Sequence, residues 1–403
     1  MYIIVLLLIV IGTIVELFFK KNIKLYFYFI ITILSLMLLF RFGQGQDYFG
    51  YKYLFYVTPS SFAKTLAVYQ NYHGEIGWFI LMTIFKMLGL KFTHLIFFSS
   101  SLTLIFLYRA IRKIPYKFLA LLILYPTYYL TYCFSAIRQG IVLAVFLGLL
   151  LPLIIENKRK VFYYIICALL CTIHKTAVIL FALPLVLYLI KKIKKKELYL
   201  ISLICILLVN IFILINNSYH FVNISDYLEI NVSLLAILNR TIYFIIISIL
   251  HNKNIYKENK IENTLYYLYF FGFVVYISTM SLAILSQRLT MPLKSIEILL
   301  IPIEIKLLIE DGKNSKIFLI NKIEISRQTF YTFFSLFLII IPIIETIKNI
   351  NSYIEQGDYY SDINILSYPY ISYFNQKDIY KYREQSIYEN IINKDKEKNR
   401  KYY

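Results

Sequence analysis

Three basic elements stand where an apolar chain would ordinarily have none. Arg138 follows a Tyr- and Ser-containing turn in Phe134-Ser-Ala-Ile-Arg138-Gln139-Gly140, His174-Lys175-Thr176 joins two apolar runs, and Arg288 lies in Leu285-Ser-Gln-Arg288-Leu. Charge set among apolar side chains is costly to desolvate, so it marks a pathway or a site. Arginine stays protonated and its guanidinium grips two phosphate oxygens at once. Two arginines with Lys175 would suit a pyrophosphate, either as a bound headgroup or as a departing leaving group. His174 can act as a general base or donate a hydrogen bond, and Gln139 stands beside Arg138 on the same turn. Asp47 and Glu75 are the plausible carboxylate bases early in the chain. Asp47 sits in Gly43-Gln-Gly-Gln-Asp47-Tyr48-Phe-Gly-Tyr51, where Tyr48 and Tyr51 beside an acid suit a sugar ring; Glu75 opens an apolar run in His73-Gly-Glu75-Ile-Gly-Trp78. Each residue also has a plainer reading. An interfacial arginine snorkels, a turn histidine caps, a tyrosine belongs to the membrane interface, and a first-turn acid meets the helix dipole. Arg240, inside the apolar run around Leu238-Asn-Arg240-Thr, is a further candidate.

The elements that must position these groups are helices in a bilayer. Of 403 residues, 59% are hydrophobic and only 16% charged, and the apolar runs approach about 20 residues between short polar loops. This predicts an all-α, polytopic integral membrane bundle. Expected spans are 1–19, 24–40, 74–90, 92–108, 118–134, 138–155, 161–173, 176–190, 197–216, 233–250, 263–285, 289–309 and 328–346. The transmembrane domain is therefore 1–346, with 41–73 and 217–232 as external loops, followed by a polar tail, 347–403. Within that tail 363–374 is amphipathic enough to return to the bundle, and 377–403 reads as a solvated, disordered end. The net charge of +19 sits mostly in loops between spans, where it sets orientation and meets anionic headgroups rather than nucleic acid.

Orientation places the candidates together. The clusters Arg109/Arg112/Lys113/Lys117, Lys158/Arg159/Lys160, Lys191 to Lys196 and Lys253/Lys257/Lys260 agree on a cytoplasmic side if every run between them spans once. Arg138, His174, 217–232 and Arg288 then face outside. Lys20/Lys21/Lys24 break the parity upstream, which implicates a non-spanning segment near 74–90 or 92–108. The run 161–173 offers only about 20 Å of helix against a hydrocarbon core of about 30 Å. The His174 turn is therefore expected below the outer surface, tolerated there only against protein or a water-filled cavity. An outward-facing cavity with Arg138, Gln139, His174 and Lys175 near its floor follows.

Some chemistry is missing from the sequence. There is no Walker A loop, no dinucleotide fingerprint, no zinc spacing and no metal–nucleotide D-x-D. Cys133, Cys167, Cys171 and Cys205 lie in apolar runs and read as packing residues. No cofactor and no metal are expected, and an activated donor carried on a lipid fits better than a cytoplasmic nucleotide sugar.

At these residues the chain resembles the EpsG family, within the Wzy-like exopolysaccharide and O-antigen polymerases. The resemblance is carried by Gly45-Gln-Asp47-Tyr48-x-x-Tyr51, Gly74-Glu75-x-Gly77, Phe134-Ser-Ala-Ile-Arg138-Gln139-Gly140, His174-Lys175-Thr176-Ala177, Gln287-Arg288-Leu289 and Tyr368-Pro-Tyr370-Ile-Ser372. Met291-Pro292 and Ile371 depart from the family's pattern. The resemblance implies a GT-C-like bundle in the bacterial plasma membrane. Its implied reaction is inverting glycosyl transfer between undecaprenyl-pyrophosphate-linked oligosaccharide repeat units at the outer leaflet, building an exopolysaccharide, capsule or O-antigen. Arg138 and Arg288 would stabilise the departing pyrophosphate, with Lys175 beside them. Gln139 and His174 would orient sugars, Asp47 or Glu75 would assist the attacking hydroxyl, and Tyr48, Tyr51 and Tyr370 would hold substrate. A chain-length regulator and a flippase are the partners it implies. The competing readings are a glycan ligase or membrane acyltransferase, a lipid-linked sugar transporter or flippase, and a non-catalytic assembly subunit.

Overall fold

The structure is a computed structural model. It describes residues 1–19, 23–45, 47–72, 74–219, 234–254, 259–310, 316–320, 323–356, 364–376, 381 and 383–390. The chain folds into helices in the order α1 (Tyr2–Phe18), α2 (Lys24–Leu39), α3 (Tyr48–Val57), α4 (Phe62–Val68), α5 (Ile76–Met87), α6 (Phe92–Ile111) and α7 (Lys117–Ile123). Wide turns at Leu124–Cys133 lead to α8 (Ile137–Val145), which continues through Phe146–Leu150 into α9 (Leu151–Glu156). Then come α10 (Lys160–Ile173), a 3₁₀ turn at Lys175–Val178, α11 (Ile179–Ile190), α12 (Lys195–Tyr219), α13 (Leu234–Asn254), α14 (Lys260–Ser278), α15 (Ala283–Lys294) and α16 (Glu297–Glu310). A hairpin of β1 (Lys316–Ile320) and β2 (Ile323–Ser326) precedes α17 (Arg327–Gln356).

The helical expectation holds, with four differences. The segment 41–73, expected as an external loop, contains α3 and α4. The run 289–309 breaks at Ser295-Ile296 into α15 and α16, so Arg288 lies within a helix. The segment 310–327 carries the antiparallel hairpin, whose Ile-, Phe- and Leu-rich strands pair Ile320 with Ile323. Finally, α17 runs on to Gln356 with Ile350 and Tyr353 buried, so the packed bundle extends past residue 346. The expected loop 217–232 falls largely outside the described residues.

Among the described residues, Phe92–Ile111 and Ile137–Glu156 are long and apolar enough to cross a bilayer. Tyr2–Phe18, Lys24–Leu39, Ile76–Met87, Lys160–Ile173 and others are apolar but shorter. Helix α5 has 12 residues and rises about 18 Å, so of the two segments suspected of not spanning it is the one too short to do so. Large apolar side chains such as Leu25, Ile105, Leu185, Leu207 and Phe212 are more than half exposed, a surface that water does not favour and acyl chains do.

Tyrosines tie the centre together. Leu124–Cys133 winds with i→i+5 hydrogen bonds around Pro126, and wide turns of this kind leave carbonyls to be satisfied from outside the helix. Helix α17 supplies the donors: Asn349 Nδ2 bonds Pro126 O at 2.8 Å and the Tyr353 hydroxyl bonds Leu130 O. Tyr125 and Tyr129 donate to Tyr2 O and Leu34 O at 2.9 and 2.5 Å. This scaffold fixes the turn that leads into Arg138.

Candidate active site

Four chain segments meet at one end of the bundle, and close backbone packing brings them there. Gly45 adopts φ +101°, and a Cβ on it would fall 2.6 Å from Phe134 O, so the 41–47 loop lies directly on the turn before Arg138. A Cβ on Gly77 would lie 2.2 Å from Thr172 Oγ1, which seats the start of α5 against the end of α10. Glu75 therefore reaches both the Arg138 turn and the His174 turn.

Arg138 opens α8. Its Nη1 is ion-paired to Glu75 Oε2, its Nε points at the Tyr51 hydroxyl at 3.4 Å, and its Cζ lies 5.5 Å from the Tyr51 ring centroid. The two side chains of the ion pair are 9% and 11% exposed, so each holds the other's charge at a nearly dry site. Glu75 Oε1 also accepts from the backbone N–H of Lys175 at 3.1 Å. Arg138, expected as a waiting cation, is thus already partnered. Glu75, expected as a base, is committed to two donors.

His174 does the capping work that its plainer reading gave it. Its Nδ1 accepts from Thr176 N at 3.3 Å and lies 2.7 Å from Thr176 Oγ1. A ring nitrogen that accepts from a backbone N–H is unprotonated, so in the neutral ring the proton is on Nε2, which can donate. Gln139 is buried, and its Nε2 has no hydrogen-bond partner among the described residues. The same is true of Trp78 Nε1, in the ring packed edge-on to Tyr51 at 5.6 Å. Buried donors without acceptors are costly, and they point to a place where a ligand's oxygens would be welcome.

Over these buried groups stand exposed ones: Asp47, Lys175 and Arg288. Asp47 opens to solvent yet has protein around most of it. That desolvation raises its carboxyl above the ordinary range, against the opposing fields of Arg288, Arg138 and Arg383, in that order. The charges that act on it most are arginines from three separate segments. Helix α15, which carries Arg288, packs against both α8 and the Lys175–Val178 turn.

Other expected site residues lie elsewhere. Tyr48 is fully buried among Phe42, Phe49 and Phe92, so its ring supports the fold and offers no face to a sugar. Tyr370 donates to Met37 O at 3.0 Å and pins the returning tail to α2. Arg240 is buried over the Tyr276 ring, 4.3 Å from its centroid, and donates to Thr290 O.

Several polar residues were not foreseen. Arg41 is 2% exposed, lies over the Phe134 ring at 5.3 Å, and donates to Leu38 O and Ser100 Oγ at 2.6 and 2.9 Å, which braces the Arg138 turn from behind. An arginine between two phenylalanines at the close of an apolar run was its signal. Arg383 comes from 383–390, a helical piece of the expected disordered end, held to α3 by Lys52–Glu384 at 2.6 Å and the Tyr53–Tyr388 ring pair. Among the described residues, His251, Glu262 and Glu304 have donor atoms within 4.8 Å of one another, close enough to surround a metal. All three are buried, and His251 is hydrogen-bonded to Glu262.

No curated protein and no solved structure matches the chain. The family model of the EpsG family matches residues 24–325, which takes in every segment of the site except the returning tail. By that match over most of its length, the chain belongs to the EpsG family, membrane proteins of exopolysaccharide polymerisation.

Proposed function

We propose that this chain joins undecaprenyl-pyrophosphate-linked oligosaccharide repeat units into a surface polysaccharide, by inverting glycosyl transfer at the outer leaflet of the bacterial plasma membrane. The observation that carries the reading is the convergence of Asp47, the Arg138–Glu75 pair, Lys175 and Arg288 from separate segments. The basic loops and the apolar side chains left exposed support a polytopic bundle with its site open to the outer side.

In this mechanism a hydroxyl oxygen of the incoming unit attacks the anomeric carbon that links the growing glycan to its carrier. The carbon–phosphate oxygen bond breaks, the pyrophosphate leaves with the electron pair, and the hydroxyl proton passes to the Asp47 carboxylate. Asp47 suits this role better than Glu75, because Glu75 already holds Arg138 and the Lys175 N–H. Arg288 and Lys175 receive the phosphate charge from the open edge, while Arg138 supplies a fixed positive group beneath. The Nε2–H of His174 and the Nε2 donor of Gln139 orient sugar hydroxyls. Arg383 in the tail adds positive charge that acts on Asp47.

The test is Asp47→Asn in the native host, with glycan length resolved on a gel. Single repeat units without a ladder are expected. A full ladder would reject Asp47 as the base, and a full ladder from Arg138→Ala as well would reject the polymerase mechanism altogether.

A further inference from the structure

A cavity of about 410 Å³ lies between α9, α10, α11 and α14, away from the candidate active site. Lys158, Lys160, Lys191 and Lys260 line it, and they come from three different loops. All four are exposed, and Glu156, at 3.3 Å from Lys158 Nζ, is the acid paired with one of them. Together they give the rim a net positive field that favours an anion.

The backbone adds to the same field. Lys160 opens α10 and Lys260 opens α14, helices of 14 and 19 residues whose N-terminal N–H groups and dipoles favour a negative group. A lysine in a first turn opposes that dipole. Helix α14 offsets it with the Asn259 cap and Glu262. Helix α10 has neither a side-chain cap nor a first-turn acid, so Lys160 costs stability unless something negative is bound. Asn157 and Arg159, at φ 54° and 50°, hold the tight turn that presents Lys158 and Lys160. Arginine has no ease in that region, so the turn is kept at a cost.

The walls are of opposite character. Leu153, Ile154, Pro184 and Leu185 line the same cavity, and Leu185 and Tyr188 are more than half exposed. A small soluble anion would need the cationic rim only. A cationic rim above apolar walls matches a phosphate headgroup with acyl chains attached.

We propose that this cavity is a binding site for one anionic phospholipid of the surrounding membrane, phosphate at the lysines and acyl chain along Leu153 and Leu185. On the orientation given by the basic loops it faces the cytoplasmic leaflet, away from the glycan chemistry. The inference rests on the chain being a membrane protein and is independent of the reaction it performs.

The experiment uses the full chain purified in detergent, with native mass spectrometry and thermal shift as readouts. Phosphatidylglycerol is expected to add one retained lipid per chain and to raise the melting temperature. Phosphatidylcholine and inorganic phosphate at equal concentration should do neither. Lys160→Gln with Lys260→Gln should weaken phosphatidylglycerol binding roughly 25-fold, at about a factor of five for each lysine. Leu185→Gln should weaken it less, and Lys91→Gln, outside the cavity, should leave it unchanged. Equal retention of phosphatidylcholine, an equal shift from inorganic phosphate, or unaltered binding in the double lysine variant would each overturn the proposal. A glycan ladder measured in the same double variant keeps the two questions apart, since lost lipid binding with a normal ladder leaves the polymerase reading standing.

Discussion

Two buried clusters in this molecule share their chemistry and differ in what surrounds them. In one, Arg138 pairs with Glu75 beside the Tyr51 hydroxyl. In the other, Lys294 lies 3.6 Å from Glu297, which accepts from the hydroxyls of Tyr128 and Tyr269 at 2.6 and 3.3 Å. Each is a cation, a glutamate and phenols in an apolar bundle. The second seals its glutamate, whose side chain is 3% exposed against 11% for Glu75, while Lys294 lies against the rings of Tyr128 and Tyr243. Each oxygen of its carboxylate accepts a phenol hydroxyl, which is what makes a buried polar group support a fold. The first is bordered by exposed Asp47, Lys175 and Arg288 and by the unpartnered Gln139 amide. One cluster satisfies its carboxylate within the fold; the other keeps a buried amide donor for a visitor. Buried charge is thus a weak pointer to function by itself, and incomplete satisfaction at an open edge is the stronger one.

The comparison breaks most visibly if the sealed cluster is opened. Glu297→Ala strands Lys294 and two phenols and should cost about 3–5 kcal/mol of stability, read from unfolding in detergent. Glu297→Gln, which retains an acceptor, should cost less. A stable Glu297→Ala protein that makes no polymer would place this cluster in the chemistry and undo the distinction. Arg138→Ala should instead lower polymer formation by about 10²–10³-fold, the range for losing one fixed group that stabilises developing charge. Arg138→Lys should recover only part of it, since an ammonium lacks the fork that meets Glu75 and Tyr51 together.

The sequence made the open cluster legible and the sealed one not. Arg138 and His174 interrupt apolar runs at turns, where a charge is conspicuous. Lys294, Glu297 and Glu304 interrupt the run 289–309 in the same way, yet read as parts of one span, because nothing in their spacing discloses the break at Ser295-Ile296. Pairing was also hidden. No spacing rule connects Glu75 to Arg138 across 63 residues, or His251 to Glu262 and Glu304; only packing of Gly45 on Phe134 and of Gly77 on Thr172 determines the first. Tyr48 misled for the opposite reason, since a tyrosine beside an acid looks alike in sequence whether its ring faces a cavity or other rings.

Smaller changes sharpen the contrast. Gly45→Ala puts a side chain where φ is +101° and Phe134 O is in the way, at a cost of about 1–3 kcal/mol. Because the strain falls on the Arg138 turn, polymer yield should drop more than stability does, and equal losses in both would argue that the turn has no special role. Asp47 predicts a pH effect with a definite sign. Desolvation raises its carboxyl and Arg288 is the largest opposing charge, so Arg288→Ala should raise it further. The acid limb of polymerisation then moves to higher pH, because the base must be ionised to accept a proton. Arg383→Ala should move it the same way by less. A limb that moves down, or not at all, would detach Asp47 from the proton transfer.

The smallest effect is expected where the tail meets α3. Lys52 and Glu384 are 2.6 Å apart, but their side chains are 35% and 25% exposed, so water competes for both and salt screens them. Lys52→Ala should cost no more than about 1 kcal/mol, and a double-mutant cycle with Glu384→Ala should return a coupling below that. The Tyr53–Tyr388 ring contact, at 5.4 Å between centroids, should hold 383–390 in place without the ion pair. The glycan ladder of Lys52→Ala should then match the parent's, and its acid limb should not shift, because Arg383 stays near Asp47. A ladder shortened by this surface change would mean that the tail closes over the site during each transfer, and that the open edge is a moving one.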